Sequence, residues 1–199
     1  FISRDDVALI LGDNFFYAKN LKHALQEAST QNSGATIFGY YVKNPKDYGI
    51  VSFDETGNPL SIIEKPEDPS SNYAITGLYF YDNSVLEIAK KLKPSPRGEL
   101  EITDINSAYL EQGKLRVEIL SRGTAWLDAG QPNSLLDAAN FVRIVEERQG
   151  LKIGCPEEVA YLMKIIDHKQ MEALVKKHSN TSYGDYLAGV LGRPPFEDF

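Results

Sequence analysis

Cysteine is nearly absent from this 199-residue chain, where Cys155 stands alone. One thiol cannot build an internal disulfide framework, and such sparing use fits a reducing, cytoplasmic compartment. Long apolar runs are missing as well. No stretch approaches the roughly 18 residues that a membrane-crossing helix requires, and no signal peptide is visible. Positive charge is in deficit, with 21 Lys and Arg against 28 Asp and Glu and a net charge of −7. That balance argues against a nucleic-acid partner, which needs clustered cations. His23, His168 and His178 show no metal-ligand spacing and read as surface or cap residues. The chain opens on phenylalanine and enters a buried-strand pattern almost at once, which reads as a fragment of something longer.

What is present is an ordinary globular composition, 42% hydrophobic, sufficient for one domain with a core and a small helical appendage. Apolar runs at Val7–Leu11, Ala35–Val42 and Ala74–Tyr81 read as strands, the first of them central and buried on both faces. Tyr48–Phe53 and Leu60–Ile63 flank a turn-forming segment and read as a hairpin. Helical spacing appears at Leu21, Leu25 and Ala28, over Ile102–Gln112 and, most strongly, over Ser134–Arg148. Shorter helices come after it at Glu157–Ile166, Lys169–His178 and Tyr183–Leu191. The expected architecture is an α/β, Rossmann-like, open mixed and mostly parallel sheet flanked by helices. It spans residues 1–150, and a C-terminal helical extension occupies 151–199.

Five clusters carry chemistry. Gly12-Asp13-Asn14 places a carboxylate at the carboxyl end of a strand, where ligands bind in open α/β sheets. Trp126-Leu127-Asp128 repeats that pattern 115 residues later, at a turn. Two such carboxylates can meet on one Mg²⁺ over a phosphate, although for each alone a helix cap is the plainer reading. At Tyr48-Gly49, glycine allows a ligand to approach the backbone closely. In Ile63-Glu64-Lys65-Pro66 the proline ends a strand and leaves Lys65 at the rim, within reach of a phosphate; a solvated surface pair is the plainer reading. Arg97 lies on a loop leading into a helix, a good position for an oxyanion. Cys155 has no nucleophile context and reads as a buried filler.

In order, the strings LGDN, YGIVSFD, SIIEKP, SNYAITGLYFYD, PSPRGELEITDIN, AWLDAG and FVRIVEERQGLKIGCPEE resemble the glucose-1-phosphate thymidylyltransferases, sugar-nucleotide pyrophosphorylases that act in deoxysugar and polysaccharide precursor synthesis. The resemblance runs from about Asp6 to Tyr186. It lacks the family's N-terminal glycine-rich nucleotide loop, of the form GGxGTRLxP, and with it roughly the first third of a member. The family's WLDTGT reads WLDAGQ here, with Ala129 and Gln131 in place of two threonines.

The resemblance implies a nucleotide-diphospho-sugar transferase fold and attack of glucose 1-phosphate on dTTP with release of pyrophosphate. It implies Asp13 and Asp128 as Mg²⁺ ligands, with Lys65 and Arg97 gripping the sugar phosphate. Glu64 would accept from glucose hydroxyls, and the backbones of Gly49 and Ile75 would complete the pocket. Tyr48 and Trp126 would form its walls, and Asn14 would orient Asp13 or touch the substrate. It further implies a cytoplasmic homo-oligomer, a tetramer, without membrane or nucleic-acid partners. Three alternatives remain open: an inactive fragment, a sugar-phosphate-binding regulatory module, or a uridylyltransferase.

Overall fold

The computed structural model describes residues 2–31 and 33–193, which fall into two compact units divided between Ser134 and Leu135. Among the described residues the first contains eight strands: β1 (Val7–Ile10), β2 (Asn14–Tyr17), β3 (Ala35–Tyr41), β4 (Gly49–Phe53), β5 (Pro59–Glu64), β6 (Tyr73–Tyr81), β7 (Leu115–Ile119) and β8 (Ala125–Asp128). Helices α1 (Leu21–Ser29), α2 (Val85–Ala89) and α3 (Ile102–Glu111) accompany them.

Six strands form one sheet. Its main path runs β5-β4-β6-β3-β7, and β1 pairs with β6. The nine-residue β6 is the axis. It pairs antiparallel with β3 along one edge, and its other edge is shared by β4 near Tyr73–Ala74 and β1 near Leu78–Tyr81. The side-chain period of two sends Ile37 and Phe38 of β3 to opposite faces. One face packs Ile37, Val51, Ile75, Tyr79 and Tyr81 with Val85 and Tyr109 from α2 and α3; the other packs Phe38 and Leu78 with Ala28 from α1. Helices on both faces of a mixed sheet are the expected α/β architecture.

Two expectations fail. The sheet is not mostly parallel: β3 with β7 is the only parallel pair among its described strands, and the β4–β5 hairpin and the returns through β6 make the other pairings antiparallel. Strand β1 is not buried on both faces either. Among the described residues it pairs with β6 alone, and Leu9, Ile10 and Leu11 are 38%, 58% and 38% exposed. A run of apolar residues identifies a strand, but burial depends on what packs against it.

The ribbon β2–β8 is a separate two-stranded sheet in which Asn14 faces Asp128 and Phe16 faces Trp126. The Ala129 N–H extends it by donating to the Asp13 carbonyl at 2.7 Å.

The second unit begins within the first turn of α4 (Pro132–Gln149) and continues through α5 (Pro156–Leu162), α6 (His168–Lys177) and α7 (Ser182–Gly192). The 150/151 boundary expected from the change to an all-helical pattern lies just past the end of α4. The last turns of α4 are tied to the segment leading into α5: Glu146 accepts from Lys152 Nζ at 2.5 Å and from the Ile153 N–H at 2.9 Å. Cys155 is buried with Met171, Leu187 and Val190, and Asp167 and Gln170 close a reciprocal cap on α6. Among the described residues no helix is long and apolar enough to cross a membrane.

Candidate active site

The ribbon brings together the two aspartates that the sequence separates. A Cβ placed on Gly130 would lie 3.1 Å from Asp13 Oδ2 and 3.1 Å from Asp128 Oδ1. The two oxygens are thus at most about 6 Å apart across an open gap, where an ion with bonds of about 2.1 Å can recruit both through small side-chain rotations. Only a residue without a side chain keeps that gap clear. Asp13 is exposed, and Asp128, half-buried, accepts from the Gly130 N–H at 3.0 Å.

Hard carboxylate oxygens around such a gap suit Mg²⁺, which often takes one or two carboxylates and completes its shell with water and substrate phosphate. Among the described residues no cluster of three or more His, Cys, Asp or Glu forms a metal site. The pair therefore fits a cation shared with a phosphate rather than an all-protein cage.

A second group of residues lines the neighbouring strand ends. The β4–β5 register sets Gly49 opposite Glu64, and the Lys65 N–H donates to the Tyr48 carbonyl at 3.1 Å. Thr103, in the first turn of α3, donates its hydroxyl to Glu64 at 2.5 Å. A Cβ on Gly49 would come within 3.0 Å of Glu64 Oε2, 3.2 Å of Thr103 Oγ1 and 3.8 Å of Ile75 Cδ1, so these residues form one tight group around a bare backbone. Lys65 does not continue the strand. Its φ of 41° is left-handed, a conformation that costs a non-glycine residue roughly 1–2 kcal/mol. Its side chain is exposed and forms no ion pair with another described residue.

Trp126 closes the wall between these groups. Its ring lies 5.2 Å from Tyr48 and 5.5 Å from Tyr40, over a patch with buried Ile50 and Ala74. Burial pushes the Tyr48 phenol up, and the charges of Asp128 and Asp47 push it the same way. Tyr79 is likewise raised, by burial first and then by the charges of Glu64 and Asp13.

Arg97 is less available than expected. Its guanidinium lies 3.6 Å from Glu64, 3.2 Å from Glu99 and 3.7 Å from Glu101. Thr103, Gly130 and Gly77 are site residues that sequence reasoning misses. Thr103 reads as a plain helix start, and an isolated glycine gives no sign of what approaches it. A cavity of about 190 Å³ lined by Asp6, Ala28, Thr36 and Tyr81 contains none of these groups.

Paired carboxylates and a lysine at the strand ends of a mixed sheet, with an arginine on the loop before α3, are groups chemically suited to a phosphorylated ligand. More particularly, the family model described as Nucleotidyl transferase matches residues 1–144, and the chain belongs to that family. It is 54% identical over 192 residues to the glucose-1-phosphate thymidylyltransferase of Mycobacterium tuberculosis (strain ATCC 25618 / H37Rv), covering 96% of this chain and 66% of that protein. It is 50% identical to the Neisseria gonorrhoeae enzyme of the same name, covering 97% and 67%. Among solved structures, a putative glucose-1-phosphate thymidylyltransferase from Bacillus anthracis in complex with a sucrose matches with a TM-score of 0.65 and 37% identity, over 77% of this chain and 58% of that one. A UDP-glucose pyrophosphorylase complexed with UDP-glucose, 21% identical with a TM-score of 0.60, shares the fold. The chain spans about two thirds of the length of the curated relatives it matches.

Proposed function

We propose that this chain supplies the sugar-phosphate and cation side of a glucose-1-phosphate thymidylyltransferase, which joins glucose 1-phosphate to dTTP and releases pyrophosphate. The observation that carries the reading is the Asp13–Gly130–Asp128 gap. A chain whose relatives bear that name has paired carboxylates where a nucleotidyl transfer needs charge neutralisation.

In-line displacement at a phosphorus is mostly positioning and electrostatics, and a phosphate oxygen needs no general base. Lys65 offers a point charge to the sugar phosphate, and Arg97 can exchange the exposed Glu99 for a phosphate oxygen while Glu64 and Glu101 hold it in place. Glu64, oriented by Thr103, accepts from sugar hydroxyls, and the backbones of Gly49 and Ile75 border the same space. Tyr48 and Trp126 provide a flat apolar wall. Mg²⁺ held by Asp13 and Asp128 would neutralise charge on the nucleotide phosphate.

The sequence holds no glycine-rich phosphate loop of the GGxGTRLxP form. The chain by itself is therefore proposed to bind glucose 1-phosphate without turning over dTTP. The natural enzyme is proposed to be a homo-oligomer, a tetramer, and the single buried thiol supports a cytoplasmic location.

The test is calorimetry of glucose 1-phosphate binding to this chain, together with pyrophosphate release by the full-length natural protein offered dTTP or UTP. Binding that is lost in Lys65→Ala, with dTTP preferred over UTP, supports the reading. Preference for UTP makes the enzyme a uridylyltransferase, and absence of sugar-phosphate binding overturns the reading.

A further inference from the structure

The Asn14 side chain joins three parts of the site through one amide. Its Oδ1 accepts from the Gly77 N–H at 2.8 Å and from the Trp126 indole N–H at 2.7 Å, and its Nδ2 donates to Asp13 Oδ1 at 3.0 Å. The orientation of the amide is dictated by chemistry. Gly77 N–H and Trp126 Nε1–H can only donate, so the oxygen must face them and the nitrogen must face the carboxylate. The packing is equally tight, since a Cβ on Gly77 would lie 2.6 Å from Asn14 Cγ. One oxygen of Asp13 is thereby occupied, and the other is the one directed at the Gly130 gap.

No other side chain does this. Aspartate could accept from both donors but would set a second negative charge against Asp13. Serine or threonine has a single oxygen for three partners, and glutamine is one methylene too long for a space this close.

We propose that Asn14 is a positioning residue that fixes the Asp13 carboxylate for its cation and couples it to the Trp126 indole, so that occupation of the cation site is felt at the aromatic wall of the sugar pocket. A cation at Asp13 withdraws density from the carboxylate that accepts from Nδ2. The amide is polarised in turn, and the strength of the bond it accepts from the indole changes with it, as in any hydrogen-bonded chain. The proposal rests on the reading of Asp13 and Asp128 as the cation site.

Trp126 is the only tryptophan, so its indole N–H gives one resonance in a ¹H–¹⁵N spectrum of the 199-residue chain. Mn²⁺ should broaden that resonance, placing a cation nearby, and Mg²⁺ should shift it saturably. In Asn14→Ala the resonance should move to the position of a free indole and ignore Mg²⁺. Cation affinity read from Mn²⁺ binding should fall about tenfold, the order seen when a partner that orients a metal ligand is removed. Asp13→Asn alters an exposed side chain and keeps both bonds to Asn14 Oδ1, so it serves if Asn14→Ala does not fold. Its resonance should stay in the hydrogen-bonded position and no longer respond to Mg²⁺.

Broadening by Mn²⁺ without a Mg²⁺ shift would overturn the coupling and leave the cation site standing. Failure of Mn²⁺ to broaden the resonance would remove both. A Mg²⁺ shift that survives in Asn14→Ala or in Asp13→Asn would show that the response does not pass through this amide.

Discussion

The Thr103 hydroxyl donates to the Glu64 carboxylate at 2.5 Å, so the start of α3 and the end of β5 are fixed to each other over the bare backbone of Gly49. Thr103→Val preserves the shape of the side chain and removes the donor. Glu64 then loses the contact that aims it, at a cost of about 1.5 kcal/mol for a hydrogen bond to a charged group. Glucose 1-phosphate binding measured by calorimetry should weaken by about tenfold, with the melting temperature little changed because Glu64 can still reach water.

A side chain added at Gly77 would strike the Asn14 amide. Gly77→Ala should destabilise the first unit by about 1–3 kcal/mol, the usual range for overpacking. It should also displace the Trp126 indole resonance in the absence of any cation. Urea denaturation and the same ¹H–¹⁵N spectrum measure both effects. An unshifted resonance would mean that the amide has room to move.

Asp128→Asn keeps an acceptor for the Gly130 N–H but removes half of the negative charge around the gap. Mn²⁺ binding should weaken by about ten- to a hundredfold while the far-ultraviolet circular dichroism stays unchanged. Equal Mn²⁺ affinity in both proteins would exclude Asp128 as a ligand.

The acid limb of the stability curve should depend on Asp82. Burial would raise its carboxyl. Hydrogen bonds from the Ser84 hydroxyl, the Gly34 N–H at 2.6 Å and the Tyr109 hydroxyl at 2.8 Å outweigh burial and hold it below the ordinary carboxylate range. A group lowered in the folded state stabilises fully above its unfolded value, about pH 3.9, and loses that contribution as pH falls through the lower folded value. Denaturant titrations between neutral pH and pH 3 should therefore show a flatter acid limb in Asp82→Asn than in the parent. The variant should also be less stable at neutral pH, because one oxygen that accepted a backbone N–H or a hydroxyl is gone.

The sequence is most readable where its information is local. Ala74–Tyr81 and Ile102–Gln112 carry enough periodic residues to be read almost to their ends, and the Asp54–Asn58 turn announces the β4–β5 hairpin. The ribbon is not legible. Asn14–Tyr17 and Ala125–Asp128 are four residues each, too short to show a period, and the Trp126 segment reads as a turn. The direction of the strands and the exposure of Leu9–Leu11 depend on partners distant in sequence. In the candidate site, Asp13, Asp128, Glu64 and Lys65 can be singled out from residue type and placement, but each taken alone reads as readily as a helix cap or a surface pair. Their supports, Thr103, Gly77 and Gly130, cannot, because a hydroxyl or a missing side chain acquires meaning only from what lies beside it. The acidic surround of Arg97 is visible in the neighbouring Glu99 and Glu101, but the third carboxylate, Glu64, reaches it from the end of β5.

The ribbon pairs residues 14–17 with residues 125–128, so the cation gap has no local precursor. Pairing across so long a segment is intrinsically slow, because the entropy of closing the loop is lost before the contact repays it. The β4–β5 hairpin can form from neighbours in sequence, whereas the carboxylates meet only when residues 14–17 and 125–128 have paired. On the proposed cation reading, ion binding during refolding should therefore appear only after residues 14–17 and 125–128 have paired.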